Sequence, residues 1–167
     1  MNTSSVKVVV TGIAWMGGGI GSIESALEKL FKEANQEIVM TVYAISSGSD
    51  LVFEWLEAAL ARGVKVRIVV NRFHSQHPGA VRRLLDLAGT YNHCELFSFS
   101  GEEENDLHAK VIAVDRKVAL IGSSNLSRRG LQANHELAVV VEGTEVDVIA
   151  SALDRLFGSQ YLDHIQP

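Results

Sequence analysis

Two apolar, β-branched runs, Lys110–Val114 and Val118–Ile121, stand only a few residues apart, with Asp115, Arg116 and Lys117 between them. Runs this short and this close can pair only as an antiparallel hairpin, because a parallel return needs a crossover of about a dozen residues. With Arg116 and Lys117 as a two-residue loop, Asp115 faces Val118, Lys110 faces Ser123 and His108 faces Asn125. Cross-strand partners share a face, as do residues two apart along a strand. His108, Lys110, Ser123 and Asn125 are therefore expected to project from one side of a sheet. Asp115 has the opposite parity and sits at the turn, where its carboxylate is expected to bond nearby backbone groups and set the register.

A hairpin of this kind needs a sheet to join, and the rest of the chain supplies one. Val6–Val10 reads as a strand. It is followed by the glycine-rich loop Gly17–Gly21 and by Ser22, which can cap a helix running to about Ala34. Glu37–Ala44 is strand-like, Leu51–Ala61 is an amphipathic helix closed by Gly63, and Val64–Val70 is a strand. A helix near Val81–Ala88 leads to a strand at Glu95–Phe99; after the hairpin come a strand at Leu137–Val141 and a closing helix from about Val146 to Phe157. The order predicts an α/β fold, an α-β-α sandwich on a mixed β-sheet with parallel crossovers early and antiparallel pairing late. No repeat, linker or low-complexity tract divides it, so residues 1–167 read as a single domain, with 47% hydrophobic residues to build its core.

Composition narrows the function. A net charge of -5 argues against a uniformly basic nucleic-acid coat and leaves only a local cationic patch. The single cysteine, Cys94, rules out an intramolecular disulfide and a four-cysteine zinc site, and fits a reducing compartment. No segment approaches the roughly 20 apolar residues of a membrane span, and the start lacks a signal-peptide pattern. The expectation is a cytoplasmic protein without stable membrane association.

The expected cluster combines a proton carrier or nucleophile, a fixed cation and two neutral hydrogen-bonding groups. Together these can hold and attack a phosphoryl group with neither metal nor cofactor. The same stretch fits the pattern H-x-K-x4-D-x6-G-S-x-N at every specified position, through His108, Lys110, Asp115, Gly122, Ser123 and Asn125. A chance match has odds on the order of 10^-6 in a chain of this length. On these residues the chain resembles the phospholipase D superfamily, and among its members the short bacterial Nuc-type endonucleases more than the lipid-cleaving enzymes. Glu136, eleven residues past Asn125, matches a glutamate that in this family orients the catalytic histidine.

The resemblance implies a phospholipase D-like fold and a metal-independent phosphodiesterase working through a covalent phosphohistidine. It implies His108 as nucleophile in one subunit and acid/base in the other, with Lys110 and Asn125 on the nonbridging phosphate oxygens. Ser123 and Glu136 would be supports, and Asp115 and Gly122 structural parts of the motif. Two motifs are needed for this chemistry and the chain carries one; His74, His77, His93, His135 and His164 lack the H-x-K context. The implied assembly is a homodimer with an active site shared across a two-fold axis.

Other features are read more plainly. The loop Gly17–Gly21 lacks the lysine and hydroxyl residue of a phosphate loop and reads as a flexible connection, with Trp15 and Met16 as its contact residues. His74 and His77 have metal-like spacing but lie in a loop without further ligands. Arg62, Lys65, Arg67, Arg72, Arg82 and Arg83 follow one another with no acidic residue between, and Arg128 and Arg129 follow Asn125. Arg72, Arg128 and Arg129 are the candidates for binding a nucleic-acid backbone; a solvated basic face is the alternative. The acidic run 102–106 reads as a loop or as a gate against the wrong substrate. A nuclease acting on DNA or RNA is the leading expectation. The rivals are a phospholipase D-type lipid hydrolase or transferase and a catalytically silent nucleic-acid-binding subunit.

Overall fold

A computed structural model of the protein describes residues 3–46, 48–101 and 105–167. Its elements in chain order are β1 (Ser5–Thr11), β2 (Gly21–Ser22), α1 (Ile23–Glu33), β3 (Glu37–Val42), α2 (Asp50–Ala61), β4 (Lys65–Asn71), α3 (Pro78–Thr90), β5 (Cys94–Phe99), β6 (Val111–Val114), β7 (Val118–Gly122), β8 (Glu136–Glu142), α4 (Glu145–Phe157) and β9 (Leu162–Ile165). These nine strands form one mixed sheet in the order β2-β1-β8-β7-β6-β3-β4-β5-β9. The strands β3, β4 and β5 run parallel, each joined to the next by a helix. Between β1 and β3 lie β8, β7 and β6, paired antiparallel at every step. The sandwich is as expected; β2 and β9 are additions that no apolar run announces.

Helices cover both faces unequally. Apolar side chains of α1, α2 and α3 pack with Ile38, Met40, Ile68 and Leu120 of the sheet into the larger core, and Val146 and Leu153 of α4 close a smaller one against Val39, Ala113, Ala119 and Val141. Local signals set the helix ends. Ser22 accepts the Ser25 N–H at 3.1 Å and caps α1, and Pro78 opens α3 behind His77, whose Nδ1 accepts the Gly79 N–H. Gly63, at φ 88, takes the left-handed conformation that ends α2.

The hairpin β6–β7 departs from expectation by one residue. Val114 pairs with Val118, so the turn holds three residues, Asp115, Arg116 and Lys117, of which Asp115 and Arg116 are left-handed at φ 53 and 55. Lys110 therefore faces Gly122, whose N–H donates to the Lys110 carbonyl at 3.2 Å, and not Ser123. The cause is a long-range clamp. The Asp115 carboxylate accepts the backbone N–H groups of Asn35, Gln36 and Glu37 at 2.9, 2.8 and 2.9 Å, and the Asp115 N–H donates to the Glu37 carbonyl at 2.9 Å. These bonds draw Asp115 out of the ladder and onto the segment that enters β3.

Burial raises the Asp115 carboxyl pKa, but the three N–H bonds outweigh it and hold the group below the ordinary range. Asp115→Ala is expected to destabilise the fold by about 1–3 kcal/mol, since it leaves backbone donors short of an acceptor. The sign with pH follows from the depressed value. The stabilisation is present above the unfolded-state value of about 4 and is lost as pH falls through the lower folded value. Denaturant titrations should thus show wild type and Asp115→Asn converging in acid; a gap that widens there would contradict the clamp.

Candidate active site

Strand direction decides where the motif's polar groups meet. Four successive antiparallel pairings return β3 to the direction of β1, so the carboxyl ends of β1, β3, β4 and β7 lie along one edge of the sheet, with the starts of β6 and β8. In open α/β sheets this is the edge where backbone and loops leave room for a ligand. His108 and Lys110 enter there ahead of β6, Ser123, Ser124 and Asn125 leave there from β7, and Glu136 begins β8. Asp115 lies at the far end of the hairpin.

The approach to β6 is fixed from β3. The Thr41 hydroxyl donates to the Ala109 carbonyl and accepts the Val111 N–H, both at 3.0 Å, so the residues around Lys110 hold their place where regular pairing begins. The Lys110 Nζ donates to the His108 carbonyl at 3.0 Å and lies 3.3 Å from His108 Nδ1. An ammonium has only donors, so Nδ1 accepts here and a neutral His108 carries its proton on Nε2. Burial lowers the Lys110 pKa and the nearby Glu136 carboxylate raises it in part.

The shifted register divides the hydroxyls. Lys110, Ser124 and Asn125 line a small cavity of about 20 Å³ with Thr41 and Tyr43, above Ile23 and Leu27 of α1. Ser123 instead turns to β8: its hydroxyl donates to Glu136 Oε2 and accepts the Leu137 N–H at 3.2 Å. Asn134 Nδ2 donates to Glu136 Oε1 at 3.3 Å. Glu136 thus engages Ser123 and Asn134, while His108 Nδ1 faces Lys110; among the described residues no bond joins Glu136 to His108. The Asn125 Oδ1 is buried without a hydrogen-bond partner among the described residues, an acceptor open to a hydroxyl or water. Gly122 is required by packing, since a Cβ there would overlap Ala138 and stand 2.8 Å from its Cα.

The basic run does not converge. Arg62 donates to the carbonyls of Phe31, Ala34 and Ala58, Lys65 pairs with Glu95, Arg67 with Glu37 and Asp154, and Arg83 with Asp50. These four cations tie neighbouring elements together. Arg72 does reach the edge, where its Nε donates to Asp106 at 2.8 Å. The Arg72 bond, followed by the one from Asn71, holds the Asp106 carboxyl below its ordinary range. Arg128 and Arg129 are exposed just past Asn125. The gate expected at 102–106 falls largely on residues 102–104, outside the described residues.

Three residues at this edge carried no sequence signal. Tyr43, just past β3, packs its ring against His108 at a tilt, Ser124 lines the cavity, and His135 accepts the Ala14 N–H through Nε2 at 3.2 Å. Beside His135 the loop after β1 exposes Ile13 at 90%, Met16 at 57% and part of Trp15, whose Nε1–H is tied to the Thr11 carbonyl at 2.6 Å. Among the described residues no helix is long and apolar enough to cross a membrane.

Comparison with known proteins matches residues 27–160 to the family described as cardiolipin synthase, PLD-like domain. The DISARM protein DrmC of Bacillus paralicheniformis is 30% identical over 166 residues, covering 97% of this chain and 67% of that protein. Cardiolipin synthase A of Buchnera aphidicola subsp. Schizaphis graminum is 28% identical over 165 residues, 96% of this chain. The chain spans only 31% of that synthase. Among solved structures, the phospholipase D family member Nuc from Salmonella typhimurium superposes with a TM-score of 0.79 at 21% identity, covering 99% of this chain and 100% of that one.

Proposed function

Because the chain belongs to the phospholipase D-like family, we propose that it is a metal-independent nuclease, hydrolysing DNA or RNA at a site completed by a second copy of itself. The observation that carries the chemistry is the His108–Lys110 pair, with Nζ 3.3 Å from Nδ1 at the open edge of the sheet. End-to-end likeness to Nuc, and the exposed Arg128 and Arg129 next to Asn125, support nucleic acid as the substrate.

In the proposed reaction one His108 attacks phosphorus through its ring nitrogen. A P–N bond forms as the P–O bond to the leaving group breaks, and the second His108 gives its proton to that oxygen. The second histidine then takes a proton from water, the resulting hydroxide attacks phosphorus, and the P–N bond breaks. Lys110 supplies positive charge to the nonbridging oxygens and Asn125 hydrogen bonds. The two roles need opposite ring states. The donor must be an imidazolium that gives up its Nε2 proton and becomes the neutral ring seen beside Lys110, whereas attack through Nε2 needs a neutral ring with Nδ1 protonated and bound by an acceptor. Glu136 is suited to that task for a histidine that reaches it from a partner chain. The exposed apolar rim of Ile13, Trp15, Met16 and Leu137 adjoins Glu136 and is suited to being covered in such a pairing.

The same rim favours a second reading, hydrolysis or transfer at a lipid surface, because apolar side chains flanking a phosphate site can enter a headgroup layer. One assay separates the two: purified protein with labelled DNA, RNA and phospholipid vesicles, all in excess EDTA. Nucleic acid is expected to be cut at an undiminished rate, since Lys110 and paired histidines occupy the place of a divalent cation. Loss in chelator restored by magnesium or zinc would exclude the mechanism, and cleavage of vesicles alone would exclude the substrate.

A further inference from the structure

The His108–Lys110 pair rests on an aromatic floor. The Tyr43 ring lies 4.1 Å from the His108 ring, centroid to centroid and tilted by 51°, and the Lys110 Nζ stands 4.9 Å over the same ring. Three groups, one following β3 and two leading into β6, thus touch one another. Two of them carry positive charge when His108 is protonated, and their nitrogens are 3.3 Å apart. Like charges this close repel, while the negative face of an aromatic ring attracts both.

The floor is itself held firmly. Gln76 Nε2 donates to the carbonyls of Tyr43 and Asn71 at 3.1 and 2.7 Å, and its Oε1 accepts the Ile45 N–H at 3.0 Å. The hydroxyl of Thr41, two residues before Tyr43, is bonded to the backbone on both sides of Lys110. Tyr43 therefore keeps a fixed position relative to His108, which is exposed and, among the described residues, stacks on no other aromatic ring.

We propose that Tyr43 is a positioning residue: its ring face restricts the His108 imidazole to one orientation and offsets the repulsion between protonated His108 and Lys110. The role belongs to the ring and not to the hydroxyl. It rests on the phosphodiesterase reading above for its effect on turnover, but its structural part stands independently.

The test compares Tyr43→Phe with Tyr43→Leu and Tyr43→Met in the full chain. Turnover is measured on bis(p-nitrophenyl) phosphate and on labelled DNA, and the His108 ring proton is followed by NMR, assigned by its disappearance in His108→Ala. Tyr43→Phe is expected to stay within about threefold of wild type, because the ring face is kept. Tyr43→Leu and Tyr43→Met are expected to lower kcat by about 10- to 100-fold with KM nearly unchanged, as misplacement of a reacting group does. The His108 resonance should lie upfield in wild type and Tyr43→Phe, from the ring current, and move downfield in the other two. Wild-type kcat in both aliphatic variants, a change confined to KM, or a His108 resonance indifferent to the substitutions would each overturn the proposal. Should wild type cleave neither substrate, the phosphodiesterase reading fails and the resonance alone decides whether Tyr43 holds His108. Two aliphatic variants guard against one that does not fold.

Discussion

Lys110→Ala is expected to lower turnover by about a thousandfold while the protein stays folded. The transferring phosphoryl group gathers negative charge on its nonbridging oxygens, and a single well-placed donor to such a charge is worth about 10²- to 10³-fold. Lys110 contributes a full positive charge held in place by its contacts with His108, so its loss belongs at the upper end of that range. Stability should change little, because the bond from Lys110 to the His108 carbonyl is exposed. Steady-state kinetics beside a thermal melt check both halves. A loss below tenfold would remove Lys110 from the phosphate site, and a collapsed melt would make it structural.

The second expectation is larger. If each site needs one His108 as nucleophile and another as acid, a dimer of one wild-type and one His108→Ala chain has lost one of the two and should be essentially inactive. Such mixed dimers, purified with two different tags under conditions where subunits do not exchange, are the decisive sample. Activity near half of wild type would mean that each chain works alone. Wild-type chains that remain monomeric and active would equally exclude a shared site.

The site was legible where chemistry is written locally. His108, Lys110, Gly122, Ser123 and Asn125 stand at fixed spacing in one stretch, and strand direction carries their ends to a common edge. Register was not legible, because turn length depends on bonds between Asp115 and residues 35–37, some 80 positions away, and a one-residue slip reverses the face of every hydroxyl. Hence Ser123 joins Glu136 while Ser124 faces the cavity. Tyr43 was hidden for the same reason, since it reaches His108 through β3–β6 pairing and not through sequence. The ion pairs of the basic run were not legible either, because its carboxylate partners, Glu37, Asp50, Glu95 and Asp154, lie outside it and leave no mark within it. The fold class was clear from alternating periodicity, but insertion of β8, β7 and β6 between β1 and β3 is a matter of pairing that periodicity does not encode.

A sheet of nine strands is wide, and its two margins are unusually short: β2 has two residues and β9 has four. Unpaired backbone groups on a long, flat margin invite further strands from other molecules, which is how soluble proteins begin to form fibrils. Here the long strand β1 is partly shielded by β2 and the glycine turn before it, and β5 is shielded by β9. Concentrated solutions of the folded chain should therefore resist edge-on aggregation, and deletion of residues 162–167 should weaken that resistance by uncovering the longer strand β5.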